Sequence, residues 1–202
     1  MLTLYYHPYS QHVRRVAALL EEAVIPYEPI HVNLDDGEHM SPDYLAVNPN
    51  HQVPTLIDGS LKIHESNAIL RYLCGKHQLH DWYPDDPAAR AKVDQWLDWN
   101  QGKMSRAVID IVLNKVFMGD EGEEAAIRRG EMALIELSAV LGAALERSDF
   151  LCGSTPTIAD FSVASNISQL QLADALPEQE SIHRWYARVC EIPGFRKTLP
   201  QM

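Results

Sequence analysis

One dipeptide, Val53-Pro54, restricts the fold of this chain more than any other feature. It lies inside a strand-like apolar run that turns at Asp58-Gly59. Proline cannot donate to a sheet ladder, so it marks a strand start, an edge or a special turn. The X-Pro bond is also the one at which a cis peptide is energetically accessible. A cis Pro54 would leave the backbone N–H and C=O of Val53 free for a ligand.

A second motif, Glu65-Ser66, follows this run and opens a helical pattern. The first N–H groups of a helix have no partner within the helix, and they bind anions readily. One short segment therefore supplies a backbone edge and a cap for a carboxylate. This combination suits a small peptide that carries a free carboxylate.

Composition excludes several classes of function. The chain has 202 residues, enough for one large or two small domains, and a formal net charge of −11 that argues against a nucleic-acid partner. Its acidic residues are spread out, which is typical of a solubilising surface. No apolar run approaches the length of a membrane span, and the N-terminus lacks the pattern of a signal peptide. We therefore predict a cytoplasmic protein with no membrane partner.

Cysteines and histidines do not indicate a metal site. The three cysteines are far apart and form no C-x-x-C motif, which favours buried apolar thiols over a disulfide framework or a zinc site. Nine histidines are present. The closely spaced pairs, His77 with His80 and His7 with His12, lack a clear set of carboxylate partners, so we predict no metal.

Hydrophobic periodicity divides the chain into two parts. The first part reads β-α-β-α-β-β-α, with strands at 2–6, 27–32, 55–57 and 61–63. Its first helix runs from Val13, with Arg14, Arg15, Glu21 and Glu22 on the face opposite the apolar residues, and its last helix spans 66–76. We predict one domain over 1–77, a connector over 78–87 and a second domain over 88–202.

The second part contains only helical patterns. One long stretch spans 88–117, and others span 127–147, 157–172 and 181–191. Thr157 and Asp160 predict a capping box. In this motif the Thr157 hydroxyl accepts from the Asp160 backbone N–H, and the Asp160 carboxylate reaches back to the Thr157 backbone N–H.

Taken in order, these motifs resemble cytosolic glutathione S-transferases. The similar segments are Ser10-Gln11-His12-Val13-Arg14, 48–56, 65–69 and 157–160. The resemblance covers nearly the whole chain and implies a thioredoxin-like N-terminal domain followed by an all-helical C-terminal domain. A serine four residues before an arginine is similar to the serine-type theta and delta classes.

The resemblance also implies roles for individual residues. Ser10 would hydrogen-bond the sulfur of glutathione. The peptide-binding set that it implies is His39, His51, Val53, Pro54, Glu65 and Ser66. Within this set, Ser66 and Glu65 would hold the γ-glutamyl end, the two histidines would meet the glycyl carboxylate, and Val53 would pair through its backbone only.

Each of these residues also has a purely structural interpretation. Ser10 and the Glu65-Ser66 pair would serve equally as helix caps, and His39 and His51 as exposed loop residues. Tyr5 and Tyr6 rival Ser10 as donors to the sulfur, although alternation along a strand directs one of them into the core.

A second-substrate pocket is assigned to Tyr9 and to the early part of the long helix. That part contributes Gln101, Met104 and Val108. Apolar residues at helical spacing are more often core residues, and this alternative stays open.

The resulting hypothesis is a glutathione transferase. It would use glutathione as co-substrate, activate it as a thiolate and direct it at a small hydrophobic electrophile, with no metal. The resemblance also implies a homodimer. Two alternatives remain: a non-catalytic binding or assembly module, and a glutathione-dependent dehalogenase or isomerase. A thiol-disulfide oxidoreductase is disfavoured because no cysteine lies at the first turn.

Overall fold

A mixed four-stranded sheet forms the centre of the N-terminal part, with strand order β2-β1-β3-β4. The computed structural model describes residues 1–199. The strands are β1 Leu2–Tyr6, β2 Tyr27–His31, β3 Thr55–Asp58 and β4 Leu61–Ile63. β2 runs parallel to β1, whereas β3 is antiparallel to both β1 and β4. The predicted strands are confirmed to within a residue at each end.

Three helices belong to this part: α1 Gln11–Glu22 and α2 Pro42–Leu45 lie between strands, and α3 Ser66–His77 follows β4. Two of them begin at a serine N-cap. The Ser10 hydroxyl accepts from the Val13 N–H at 3.3 Å, and the Ser41 hydroxyl accepts from the Tyr44 N–H at 3.2 Å. Such caps satisfy donors that the first helical turn leaves without partners. The thioredoxin-like arrangement is therefore confirmed.

The remaining helices are α4 Pro87–Trp99, α5 Ser105–Val112, α6 Glu124–Leu145, α7 Ile158–Gln171, α8 Glu180–Glu191 and α9 Pro193–Arg196. The long stretch predicted over 88–117 is helical throughout, but two wide π turns interrupt it at Asn100–Met104 and Leu113–Phe117. At the first of these turns, the buried Asn100 amide donates to the Ser162 carbonyl at 3.0 Å.

The predicted capping box at the start of α7 is present. The Thr157 hydroxyl accepts from the Ala159 N–H at 3.3 Å, and the Asp160 carboxylate accepts from the Thr157 N–H at 2.8 Å. The carboxylate also accepts from the Leu151 N–H at 2.9 Å and the Trp185 Nε1–H at 2.8 Å. Burial raises the pKa of Asp160, while these donors oppose that shift.

The chain divides into two compact units, and the division differs from the predicted one at the C-terminal end. Among the described residues, the thioredoxin-like unit contains Met1–Leu79 and residues 192–199, and the helical unit contains His80–Glu191. The boundary between them lies inside the predicted connector. The difference arises because α9, which the predicted second domain over 88–202 includes, packs against α1.

Gly194 makes the contact between α9 and α1 possible. Its N–H donates to the Glu22 carboxylate at 2.7 Å. A Cβ built on Gly194 would lie 2.5 Å from the Ala18 carbonyl oxygen, well inside contact distance. The two backbones therefore approach more closely than a side chain permits.

Neither a metal cluster nor a membrane span is found in residues 1–199. No group of three or more His, Cys, Asp or Glu side chains there is arranged to hold a metal ion. None of the helices there combines the length and apolar composition needed to cross a bilayer.

We predict that Gly194→Ala lowers the free energy of unfolding by about 1–3 kcal/mol, because the new methyl group forces α9 away from α1. Gly75→Ala is the matched control, since a Cβ at this glycine in α3 meets no atom within 4 Å. The control should gain up to about 1 kcal/mol from helix propensity. Urea unfolding measures both variants, and equal midpoints for the two would contradict the packing argument.

Candidate active site

Strand pairing brings the predicted motifs to one edge of the sheet. Tyr5 near the end of β1 lies opposite Thr55 at the start of β3. Leu56 lies opposite Ile63 at the end of β4. The turn to Ser10, the Val53-Pro54 step and the Glu65-Ser66 pair each adjoin one of these strand ends, so all three motifs lie at the same edge.

Ser10 caps α1, as the structural interpretation predicts. Its oxygen accepts from the Val13 N–H, and its own N–H donates to the His7 carbonyl at 3.1 Å. A serine hydroxyl has one donor hydrogen besides its acceptor lone pairs. Because the cap uses only a lone pair, the hydrogen remains available for an anion beside the helix N-terminus. The cap and the catalytic role are therefore compatible.

The Val53-Pro54 bond is cis, as the sequence suggested. Within residues 1–199, neither the N–H nor the C=O of Val53 has a hydrogen-bond partner. Its side chain is buried, with 8% exposed. Val53 therefore offers its backbone groups to an extended ligand, while its side chain anchors the loop.

Three side chains that we did not predict as site residues hold this loop in place. The Tyr44 hydroxyl and the Asn48 amide both donate to the Gln52 carbonyl, at 2.6 and 2.8 Å. The Asn48 amide also donates to the Thr55 hydroxyl at 3.0 Å. Asn48 and Thr55 are fully buried. In the sequence, the only indication of this network is Asn48, which lies five residues before Val53.

Ser66 is buried at the first position of α3, and Glu65 precedes it with an exposed carboxylate. Glu65 occupies the N-cap position of α3, but its side chain makes no capping hydrogen bond there. Its backbone has φ 68° and ψ 105°, which is unusual for a residue with a side chain. Backbone outliers of this kind concentrate at ligand sites, because the strained conformation orients a group toward the ligand.

The two arginines of α1 are more buried than the sequence predicts. Arg14 and Arg15 lie on the face that the sequence predicts to be polar, but both are buried. The Arg14 Nε–H donates to the Thr198 carbonyl at 3.3 Å, in the segment after α9. The Arg15 Nη1 lies 3.5 Å from Ser66 Oγ. The periodicity of α1 does not reveal that α3 and the C-terminal segment cover both sides of this helix.

The two predicted histidines lie side by side. The rings of His39 and His51 have centroids 6.3 Å apart and are tilted by 43°. The Nδ1 atom of His39 is buried and has no hydrogen-bond partner in the described part of the chain. His51 is exposed and has a positive φ of 48°. Their role toward a carboxylate stays a prediction.

The rival tyrosines of β1 have different partners, but neither lies in the core, where we predict one of them, since both are half-buried. Tyr5 packs edge-on against Tyr44, with ring centroids 5.6 Å apart, on the side of the sheet that carries α2. Tyr6 instead contacts His31, with ring centroids 5.5 Å apart. Each ring therefore has a packing partner, which favours the structural interpretation for both tyrosines.

The residues predicted for the second substrate differ in their burial. Met104 and Val108 are fully buried, which favours the core interpretation that the sequence left open. Gln101 is exposed. The exposed apolar side chains of this helical stretch lie elsewhere, at Ile109, Leu113, Val116 and Phe117.

Tyr9 is half exposed and lines a pocket of about 610 Å³ in the thioredoxin-like unit. The pocket lies between α1, β2 and the segment after α9. His7, Arg14 and Lys197 contribute to its walls, whereas Ser10 does not. A role of Tyr9 toward a second substrate stays a prediction.

Comparison with known proteins decides the family. Residues 1–75 match the glutathione S-transferase N-terminal domain, and residues 124–188 match the corresponding C-terminal domain. Glutathione S-transferase GstB of Escherichia coli is 32% identical over 203 residues, which cover 98% of each protein. The chain belongs to the glutathione S-transferase family. It is a transferase, and the resemblance seen in its motifs is confirmed.

Two further relatives support this assignment. Glutathione S-transferase 2 of Anopheles gambiae is 33% identical to this transferase, over 96% of the chain and 93% of that protein. Among solved structures, the theta-class glutathione S-transferase of Xanthomonas axonopodis pv. citri, with glutathione bound, superposes with a TM-score of 0.92. The two are 32% identical over 100% of the chain and 98% of that structure.

We predict that the stability of this transferase depends on pH through His12. Burial, with the charge of Arg15, lowers the pKa of His12 from 6.5 to about 3. The unfolded chain therefore binds a proton that the folded chain excludes, so stability falls as pH falls from about 6.5 toward 3. His12→Gln should reduce this slope by up to about 1.4 kcal/mol per pH unit, as measured by urea unfolding at several pH values. Parallel curves for both proteins would contradict the assignment.

We predict opposite effects of Glu65→Gly on stability and on glutathione binding. Removing the side chain relieves the positive φ and stabilises the chain by about 1 kcal/mol. Loss of the carboxylate should weaken glutathione binding by about 10–100-fold. Asp174→Gly is the control, because Asp174 has a similar φ of 49° in the helical unit. It should gain stability with unchanged affinity, and an unchanged affinity in Glu65→Gly as well would exclude the proposed contact.

Proposed function

We propose that this transferase binds glutathione along the free backbone of Val53 and activates its sulfur at Ser10. The observation that carries the proposal is the meeting of three features at one sheet edge: an N-cap hydroxyl, an unpaired backbone segment and the N-terminus of α3. Together they offer partners for a thiol, a peptide backbone and a carboxylate, which are the groups that glutathione carries.

Each part of glutathione then has a partner of suitable chemistry. The cysteinyl backbone pairs with the N–H and C=O of Val53. The γ-glutamyl carboxylate binds the N–H groups at Ser66, and its ammonium group meets the Glu65 carboxylate. The glycyl carboxylate binds His39 and His51, where the buried Nδ1 atom of His39 needs a partner.

The main chemical task is to ionise the thiol. A thiol with a pKa near ~8.5 is only a few per cent thiolate at neutral pH. Lowering this pKa by ~2 units requires roughly 2.7 kcal/mol of preferential stabilisation of the anion. The Ser10 hydroxyl supplies one hydrogen bond to the sulfur, and the N-terminal dipole of α1 adds a favourable field. Ser10 therefore acts as an anion stabiliser and not as a nucleophile.

The second substrate is proposed to be a small hydrophobic electrophile. Its support is an exposed apolar stripe on the helical unit, formed by Ile109, Leu113 and Phe117 at a spacing of four residues. These side chains face outward along one side of the helix. They replace Met104 and Val108 as the proposed contacts, since the latter two expose no surface.

The homodimer and the cytoplasmic location also stay proposals. Support for a dimer comes from exposed apolar residues on α6, including Met132, Ile135 and Val140. A stripe of this kind on a helix face is typical of protein–protein contacts.

We predict that Ser10→Ala lowers turnover with a chlorodinitrobenzene by raising the pKa of bound glutathione by about 1–2 units. Ultraviolet absorbance of the thiolate against pH measures this shift directly. Calorimetry should show that glutathione still binds.

Ser41→Ala is the matched control, since Ser41 makes the same single capping bond at α2. Both variants should lose about 1 kcal/mol of stability, but only Ser10→Ala should shift the thiol pKa. An unshifted pKa in Ser10→Ala would reassign Ser10 to capping alone. Glutathione binding without turnover in the unmodified protein would favour a non-catalytic module, and absence of binding would reject the proposed function.

A further inference from the structure

Arg15 is the least expected charged residue of the thioredoxin-like unit. It lies in the middle of α1, and none of its surface is exposed. Arginine is almost never fully buried unless its guanidinium is paired with another group, because removing this charge from water is costly. Its position therefore calls for a physical explanation.

The guanidinium reaches the N-terminus of α3. Its Nη1 lies 3.5 Å from Ser66 Oγ and 3.4 Å from Asn67 Oδ1, the first two side chains of that helix. Both of these residues are themselves buried. A buried cation therefore lies directly behind the helix end to which the γ-glutamyl carboxylate is assigned.

This contact restricts the direction of the Ser66 hydroxyl. Arginine has donors only, so Ser66 Oγ must accept from Arg15. The hydroxyl hydrogen of Ser66 is then directed away from Arg15. Together with the backbone N–H groups of the first helical turn, it forms a set of donors that suits a carboxylate.

The charge of Arg15 also acts through the protein interior. A cation near a helix N-terminus adds to the positive end of the helix dipole, and a low local dielectric strengthens its field. Burial and the like charge of Arg14 lower the pKa of Arg15 to about 9. Arg15 thus remains charged at neutral pH, and an incoming carboxylate would relieve the cost of its burial.

We propose that Arg15 is a positioning residue for the γ-glutamyl carboxylate of glutathione, holding Ser66 as an oriented donor and supplying positive charge behind α3. The inference rests on the proposed function, since it specifies how one end of that ligand is recognised. Arg15 acts through Ser66 and contacts neither the sulfur nor the electrophile.

The test compares glutathione with an analogue in which hydrogen replaces the γ-glutamyl α-carboxylate. Calorimetry measures both affinities for the unmodified protein and for Arg15→Met, which retains an unbranched side chain without the charge. Arg15→Met should bind glutathione about 10–100-fold more weakly but the analogue almost unchanged. At saturating glutathione, kcat should stay within about two-fold, so that the effect appears in KM.

Two controls separate this role from a purely structural one. Arg14→Met removes the neighbouring buried arginine, which bonds the segment after α9 instead of α3. It should lower stability and leave the ratio of the two affinities unchanged. Arg15→Lys retains the charge without the planar fork and should restore part of the lost discrimination.

The outcomes are distinguishable. Equal weakening of both ligands in Arg15→Met, or no weakening of either, would overturn the inference and leave the proposed function intact. If Arg15→Met does not fold, Arg15→Gln decides, because it removes the charge but keeps a polar side chain: an affinity ratio unchanged from the unmodified protein would equally overturn the inference. Failure of the unmodified protein to bind glutathione would instead reject the proposed function itself.

Discussion

The antiparallel pairing of β1 with β3 is the constraint on which the rest of the site depends. It places Tyr5 opposite Thr55, so the end of one strand lies beside the start of the other. Ser10 follows the first of these strands, and Val53-Pro54 precedes the second. Pairing of β3 with β4 then brings Glu65 and Ser66 to the same edge. A shift of register by one residue would reverse every side chain of a strand and separate these motifs.

Two helix N-termini at this edge give the site its electrostatic character. The N-terminus of α1 carries Ser10, and that of α3 carries Ser66, so both offer donors and a positive field to an anionic ligand. α1 contributes to both N-termini: Ser10 caps α1 itself, and Arg15 reaches from the middle of α1 to Ser66 at the start of α3. The buried Tyr44–Asn48–Thr55 network holds the intervening loop, so the backbone of Val53 is presented in a fixed position.

Local patterns were sufficient to predict most of the elements. Alternation identified the strands, a spacing of three to four residues identified the helices, and the capping signals at Ser10 and Thr157 located two helix starts. Burial was predicted less well. Arg14 and Arg15 look like a polar helix face, and Met104 and Val108 look like a pocket wall, because periodicity shows which side of a helix is polar but not what other elements cover that side.

The sequence by itself determined the fold class, the family and the residues that form the glutathione motifs, because short-range signals such as the Val53-Pro54 step and the Glu65-Ser66 pair act within a few residues of the chain. Only the tertiary structure decided that α9 joins the thioredoxin-like unit and that Arg15 lies behind Ser66. Both outcomes depend on contacts between segments that are distant along the chain. The first depends on the close backbone approach at Gly194, and the second on the burial of the Arg15 charge beside Ser66. Neither produces a periodic pattern in the sequence.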